Sequence, residues 1–196
     1  LNRVKAHGGK RLVVVAPTGV AAINAGGVTI HSLFQLPLGL HVPDAVRREE
    51  HRHYSRQKLS LVRSLELLVI DEISMVRADL LDAVDEALRR FRRDDRPFGN
   101  VQLLMIGDLH QLPPVVKPED WETLQRYYET PYFFGSQALK QTNYVSVELK
   151  HIYRQSDTDF IDLLNKVRDN RLDNDALRWL NSRYVRGFRP PENEPH

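Results

Sequence analysis

The 196-residue sequence contains no cysteine, which excludes disulfides, thiolate metal sites and a cysteine nucleophile and fits a reducing compartment. It has no stretch approaching the roughly 20 consecutive apolar residues of a membrane-spanning helix, and no signal-peptide pattern opens it. A soluble protein of the cytoplasm with no membrane partner is expected. A dominant charge is also lacking: Lys plus Arg number 28 and Asp plus Glu 26, so long-range attraction to a polyanion is weak and any basic surface must be local. No internal repeat or low-complexity segment occurs. Finally, no Gly-x-x-x-x-Gly-Lys-Ser/Thr loop for cradling phosphates is found anywhere in the chain. The length suits one domain, large enough to bury roughly 70% of its unfolded surface.

What is present begins with Leu67-Leu68-Val69-Ile70, an uninterrupted apolar run that ends in Asp71-Glu72-Ile73-Ser74-Met75. Such a run predicts a strand buried on both faces, as in a mainly parallel sheet flanked by helices, an α/β fold. Carboxylates at the carboxyl end of such a strand face the crevice where open α/β sheets bind ligands. Two adjacent acids there suit nucleoside triphosphate hydrolysis: Asp71 to hold Mg²⁺ through its water shell, Glu72 to orient and deprotonate the attacking water. The pair resembles a Walker B motif. The plainer alternative is that Asp71 caps a following helix and Glu72 is merely solvated.

A second apolar strand, Val101 to Ile106, runs into Gly107-Asp108-Leu109-His110-Gln111-Leu112-Pro113-Pro114-Val115. Glycine lets the chain turn off the strand end and the prolines stiffen the exit, so Asp108 and Gln111 are presented beside the first acidic pair. A glutamine in that place can hydrogen-bond a γ-phosphate and sense its loss. Standing alone, the segment reads sooner as a polar loop with a Pro-Pro stop.

Asp-Glu-Ile-Ser-Met, Pro97-Phe98-Gly99 and Gly-Asp-x-x-Gln-Leu-Pro-Pro-Val, in that order, closely resemble the first motor domain of superfamily 1 DNA helicases. Pro97-Phe98-Gly99 just ahead of the Gln102 strand is similar to the PIF-one (petite integration frequency) family, of bacterial type, and unlike its RecD relatives. The resemblance runs from about Leu12 to Tyr184. It implies an incomplete RecA-like (P-loop NTPase) domain over 1–186, lacking its phosphate-loop strand, with a wedge-like insertion at about 38–60 and a linker at 187–196 toward a second RecA-like domain. It also implies part of an ATP-dependent helicase of the bacterial cytoplasm or nucleoid that uses ATP and Mg²⁺, moves 5′ to 3′ on single-stranded DNA and unwinds forked duplex DNA. Roles in DNA repair, recombination or telomere maintenance accompany the family. A RecD-type helicase and a catalytically inactive DNA-binding remnant are the rivals. The opening Leu1 to Lys10 reads as a helix tail ended by glycine, consistent with a fragment cut inside the helix after the phosphate loop and inactive by itself.

Other segments gain roles from the same resemblance. Leu12 to Ala16 predicts a buried strand, and Pro17-Thr18-Gly19 leads into a helix, Val20 to Ala25, stopped by Gly26-Gly27. The family uses the Pro17, Thr18, Gly19 segment, and the following Thr29, His31 and Ser32, to contact single-stranded DNA. Helix capping by Thr18 and a structural role for His31 are the alternatives. Tyr144 to Leu149 alternates as a strand and enters His151-Ile152-Tyr153-Arg154-Gln155, matching the motif whose arginine, Arg154, reaches the γ-phosphate; a salt-bridged surface arginine is the alternative. The resemblance also orders the sheet: the 145–149 strand, the missing phosphate-loop strand, then 101–106, 67–71 and 12–16.

Helices are predicted over Ala78 to Arg93, with Leu80, Leu81, Val84, Leu88 and Phe91 inward, the acids Asp79 and Asp82 early and the arginines 89, 90, 92 and 93 late in the order that complements the helix dipole, over Asp157 to Arg168 with Phe160, Ile161, Leu164 and Val167 inward, and over Asp173 to Tyr184 with Leu177, Leu180 and Tyr184 inward. The histidines at 41, 51 and 53 are weak metal candidates, a solvated basic face being the stronger reading.

Overall fold

Three largely apolar runs, at 12–16, 67–70 and 102–105, align side by side in one sheet. The structure, a computed structural model, describes residues 9–43, 55–153 and 155–188. In chain order it contains β1 (Leu12–Ala16), α1 (Gly19–Asn24), β2 (Val28–Thr29), α2 (Ile30–Phe34), α3 (Arg56–Arg63), β3 (Leu67–Ile70), α4 (Ala78–Arg92), β4 (Gln102–Met105), α5 (Pro118–Leu124), α6 (Gln137–Lys140), α7 (Thr158–Arg168) and α8 (Asn174–Asn181). The sheet order is β2-β1-β3-β4, every pairing parallel. The expected neighbour order of the 101–106, 67–71 and 12–16 strands is therefore observed.

Every residue of β3 is buried, as its unbroken apolar run requires. On one face Val15, Leu68 and Ile70 join a core supplied by α2 (Ile30, Leu33, Phe34), Val62 of α3 and the stripe Leu80, Leu81, Val84, Leu88 and Phe91 of α4. On the other, Val14, Leu67 and Val69 form a thinner layer with Leu12 and Ala25. The alternation of 67 and 69 against 68 and 70 is the period of two that a strand imposes.

The arginines late in α4 act as caps and clamps. Arg92 donates from Nε to the Gly99 carbonyl (2.7 Å) and from Nη1 to the carbonyls of Val62 (3.2 Å), Arg63 (2.7 Å) and Leu65 (2.8 Å). Its one guanidinium thus closes the end of α3 and grips the Pro97–Asn100 turn. In that turn Phe98, Gly99 and Asn100 all have positive φ (54°, 57° and 59°), held further by Asp85, which accepts the Phe98 N–H at 2.5 Å.

Several expectations are corrected. Residues 144–150 form no strand, and Val145, Val147 and Leu149 are exposed: among the described residues no strand lies on the far side of β4, so this segment has no ladder to join. For the same reason β4 alternates in exposure; Leu103 and Met105 pack on the core while Leu104 stays outside. The chain divides into a unit running to Val145 and a second from Ser146.

In the second unit the inward residues differ from expectation. Leu163 is buried on α7 whereas Leu164 and Val167 are exposed, and Ala176 is buried on α8 whereas Leu177, Leu180 and Tyr184 are exposed. Two short helices cannot enclose both apolar stripes. Their N-caps are Asp157 and Asp173, one residue outside each helix. Arg154, the middle of the expected insertion at 44–54, the opening helix tail at 1–8 and most of the expected linker at 189–196 lie outside the described residues.

Candidate functional site

Parallel strands deliver their carboxyl ends to one edge. The register aligns Val15 with Ile70 and Ile70 with Met105, so Pro17-Thr18-Gly19, Asp71-Glu72 and Gly107-Asp108 all leave the sheet together. Thr29 is opposite Ala16 at the same edge. The strand order then sorts the candidates. Pro17, Thr18, Gly19, Thr29, His31 and Ser32 occupy the half under β1 and β2, and the two acidic loops occupy the half under β3 and β4.

The acidic loops are fastened to each other. Ile106 donates its N–H to the Ile70 carbonyl and accepts from the Ile73 N–H, both at 2.9 Å. Gly107 lies so close to this turn that a Cβ there would be 2.9 Å from Ile73 Cγ2 and 3.1 Å from the Ser74 nitrogen. Glycine is required at 107 by this close approach. Asp71 donates its N–H to the Val15 carbonyl (2.8 Å), and its carboxylate accepts the Glu72 N–H (3.1 Å). Glu72 has φ 52° and ψ 45°, a left-handed conformation that costs a non-glycine residue about 1 kcal/mol. It swings the chain into the Ile73–Met75 turn. Both acids are half-buried, so neither caps a long helix nor is fully solvated.

In the second of these loops, Asp108 accepts the His110 N–H (3.0 Å) and the Gln111 side-chain amide (3.2 Å). Gln111 is exposed and oriented by this contact. Asp71 and Glu72 can hold a divalent cation only as a partial ligand set, since among the described residues no three His, Cys, Asp or Glu converge on a metal site. That suits Mg²⁺, which uses one or two carboxylates together with water and substrate phosphates.

On the other half, the Thr18 hydroxyl accepts the Ala21 N–H at 3.2 Å and the Thr29 hydroxyl accepts the Ser32 N–H at 3.1 Å. Both are helix caps, as the alternative reading held for Thr18, and each hydroxyl hydrogen remains available to an acceptor. Ser32 is exposed, and its carbonyl takes the Lys58 ammonium at 2.7 Å. His31 is half-buried 6.5 Å from the His41 ring. Burial, reinforced by the Arg77 charge and opposed by Asp79, pushes its pKa below the ordinary 6.5 and keeps it uncharged at neutral pH.

Two features behind this edge escaped the sequence reading. Asp79, read only as an acid complementing a helix dipole, is buried and bound by Arg77 through Nε and Nη2, both at 2.8 Å; it also accepts the His41 N–H at 2.9 Å. Arg77 further donates to the Gly39 carbonyl at 2.6 Å, tying the chain after the acids to the segment after α2. The second is Ser74, whose buried hydroxyl has no hydrogen-bond partner among the described residues. Nothing in local sequence signals either one.

The family described as PIF1-like helicase matches residues 1–177 of this chain. An ATP-dependent DNA helicase PIF1 of Saccharomyces cerevisiae is 38% identical over 173 residues, covering 88% of this chain and 19% of its own length. A solved structure described as concerning DNA unwinding at forked double-stranded DNA by two coordinating Pif1 helicases superposes with a TM-score of 0.89 at 44% identity, over 95% of this chain and 45% of that one. A Bacteroides Pif1 helicase in complex with ADP-AlF3 and single-stranded DNA gives a TM-score of 0.87 at 45% identity, over 94% and 42% of the two chains. The chain therefore spans about a fifth of that curated relative and under half of those solved structures.

Proposed function

Because this chain belongs to the PIF1-like helicase family, we propose that it is part of a first RecA-like motor domain in an ATP-dependent DNA helicase that moves 5′ to 3′ on single-stranded DNA and unwinds forked duplexes. The observation that carries the reading is the shared carboxyl edge, where the Asp71-Glu72 and Asp108-Gln111 loops are locked together beside the Thr18 and Thr29 turns. Hydrolysis on one half and strand contact on the other can then be coupled through β1 and β3, which pair directly.

In this reading Glu72 accepts the proton of the attacking water, held to its task by the turn that fixes its backbone. Asp71 and, through the substrate phosphates, Mg²⁺ belong together; the ion when bound neutralises phosphate charge. Gln111, steadied by Asp108, hydrogen-bonds the terminal phosphate and registers its departure. Arg154 is assigned to charge stabilisation on the transferring group, for which a permanently charged planar guanidinium is suited. Thr18, Thr29, His31 and Ser32 donate hydrogen bonds to the strand's phosphates and sugars, with Pro17 and Gly19 shaping the turn. The insertion around 38–60 is assigned to the fork, 187–196 to a linker, and a second RecA-like domain to the other side of the nucleotide.

Glu72→Gln in the full-length protein tests the assignment. An amide of the same shape cannot take a proton, so steady-state hydrolysis should fall by about 10²-fold or more while single-stranded DNA binding is kept. Unimpaired hydrolysis would show that Glu72 is not the base.

A further inference from the structure

The net charge is nearly balanced, so a basic surface, if used, must be concentrated somewhere. One such place lies at the opposite end of the sheet from the candidate site. An open hollow of about 480 Å³ is lined by Arg11, Arg56, Leu59, Ser60, Arg63 and Ser64. Arg11 immediately precedes β1, and its carbonyl accepts the N–H groups of Glu66 (2.9 Å) and Leu67 (3.2 Å) at the start of β3. The hollow is thus set at the amino ends of these strands. Five residues of β1 at roughly 3.3 Å each separate it by about 16 Å from the edge carrying Thr18 and Thr29.

The lining has one chemistry. Arg56, Ser60 and Arg63 recur at helical spacing along one face of α3, a span of about 10 Å. Arg63 is aimed by a hydrogen bond from its Nε to the Phe91 carbonyl (3.1 Å). Neither Arg11 nor Arg56 has a side-chain ion pair among the described residues. The Glu66 carboxylate accepts the Arg11 backbone N–H at 2.9 Å, not its guanidinium. Guanidinium groups and hydroxyls are the donors that phosphate oxygens take.

The hollow is also open, and among the described residues its lining holds no aromatic ring. Proteins that hold single strands combine basic grooves with aromatic platforms on which bases stack. A lining of arginine, serine and one leucine addresses a backbone whose bases are turned away. Over about 10 Å, one strand of a duplex presents roughly three phosphates.

We propose that this hollow is a second nucleic-acid site, one that holds the phosphate backbone of duplex DNA while the carboxyl edge engages the single strand. The proposal rests on the helicase reading above, deepening it by naming where the unopened arm of a fork is carried.

The test uses the full-length protein and its Arg11→Ala/Arg56→Ala double variant, binding either a forked duplex or its single-stranded tail alone, across a salt series. Each phosphate neutralised contributes about 0.9 to the slope of log affinity against log salt on duplex DNA. The variant should therefore lose about 1.8 from its slope on the fork and keep its slope on the tail. Arg11→Lys/Arg56→Lys should retain the slope, since charge is preserved. An unchanged fork slope in the alanine variant, or an equal loss on the tail alone, overturns the duplex site. The two readings fail separately: a full-length protein that neither binds the tail nor hydrolyses ATP refutes the helicase reading, whereas normal tail binding and hydrolysis with an unchanged fork slope refutes only this site.

Discussion

Four hydrogen bonds converge on the carboxylate of Asp82. It accepts the Tyr128 hydroxyl (2.9 Å), the Ser136 hydroxyl (2.5 Å) and the backbone N–H groups of Gln137 and Ala138 (both 3.0 Å). One side chain of α4 thereby caps α6 and anchors the Tyr128 ring, whose hydroxyl is driven to a raised pKa first by burial and then by the Asp82 charge. Hydrogen bonds to a charged acceptor contribute about 1.5–3 kcal/mol each, and their loss leaves partners unsatisfied. Asp82→Ala should therefore lower unfolding free energy by roughly 3 kcal/mol, read from the urea midpoint at unchanged slope. A loss below about 0.5 kcal/mol would mean that solvent replaces the carboxylate without penalty. The early acids of α4 look alike in sequence, yet Asp79 binds Arg77 and Asp82 caps a distant helix. Helix-dipole logic located them but could not assign partners that lie 46 to 56 residues further along the chain for Asp82.

At the scale of elements, the left-handed turn at 98–100 is the least ordinary piece of backbone. Gly99 combines φ 57° with a close approach, since a Cβ would be 2.9 Å from the Leu88 carbonyl oxygen. Gly99→Ala should cost roughly 1–3 kcal/mol, whereas Asn100→Gly, at φ 59° on an exposed position, should stay within about 0.5 kcal/mol of the parent. A Gly99→Ala loss of no more than about 1 kcal/mol in thermal melts would show that backbone conformation alone, and not the contact with α4, governs this turn. The sequence carried the motif as a family mark. Its shape depends on Asp85 and Arg92 reaching it from α4, which no local pattern announces.

For the molecule as a whole, catalysis by phosphoryl transfer depends chiefly on positioning and electrostatic stabilisation. The carboxyl edge presents acids and a glutamine, yet the sequence contains no Gly-x-x-x-x-Gly-Lys-Ser/Thr loop to cradle phosphates. The 196-residue chain by itself should hydrolyse ATP at under about 1% of the rate of a longer protein that supplies such a loop. Single-turnover hydrolysis with the two proteins side by side checks this, and comparable rates would place the phosphate cradle within these residues. No described helix is long and apolar enough to cross a membrane.

Sequence by itself determined the β3 strand and its acidic end, the β1 and β4 runs, the inward stripe of α4 and the placing of Asp71, Glu72, Asp108 and Gln111 after parallel strands. These follow from local periodicity and from the rule that a buried strand delivers its next residues to the carboxyl edge. Tertiary structure alone decided that 144–150 is not a strand, that α7 and α8 leave much of their apolar stripes exposed, and that Glu72 adopts a left-handed conformation. It also decided that Arg11 and Arg63, 52 positions apart in the chain, line one hollow. The physical reason is the same in each case: a strand needs a neighbouring ladder, an apolar stripe needs a surface to cover it, and an arginine's role is set by what packs beside it. Those partners are distant in sequence, and only folding brings them together or withholds them.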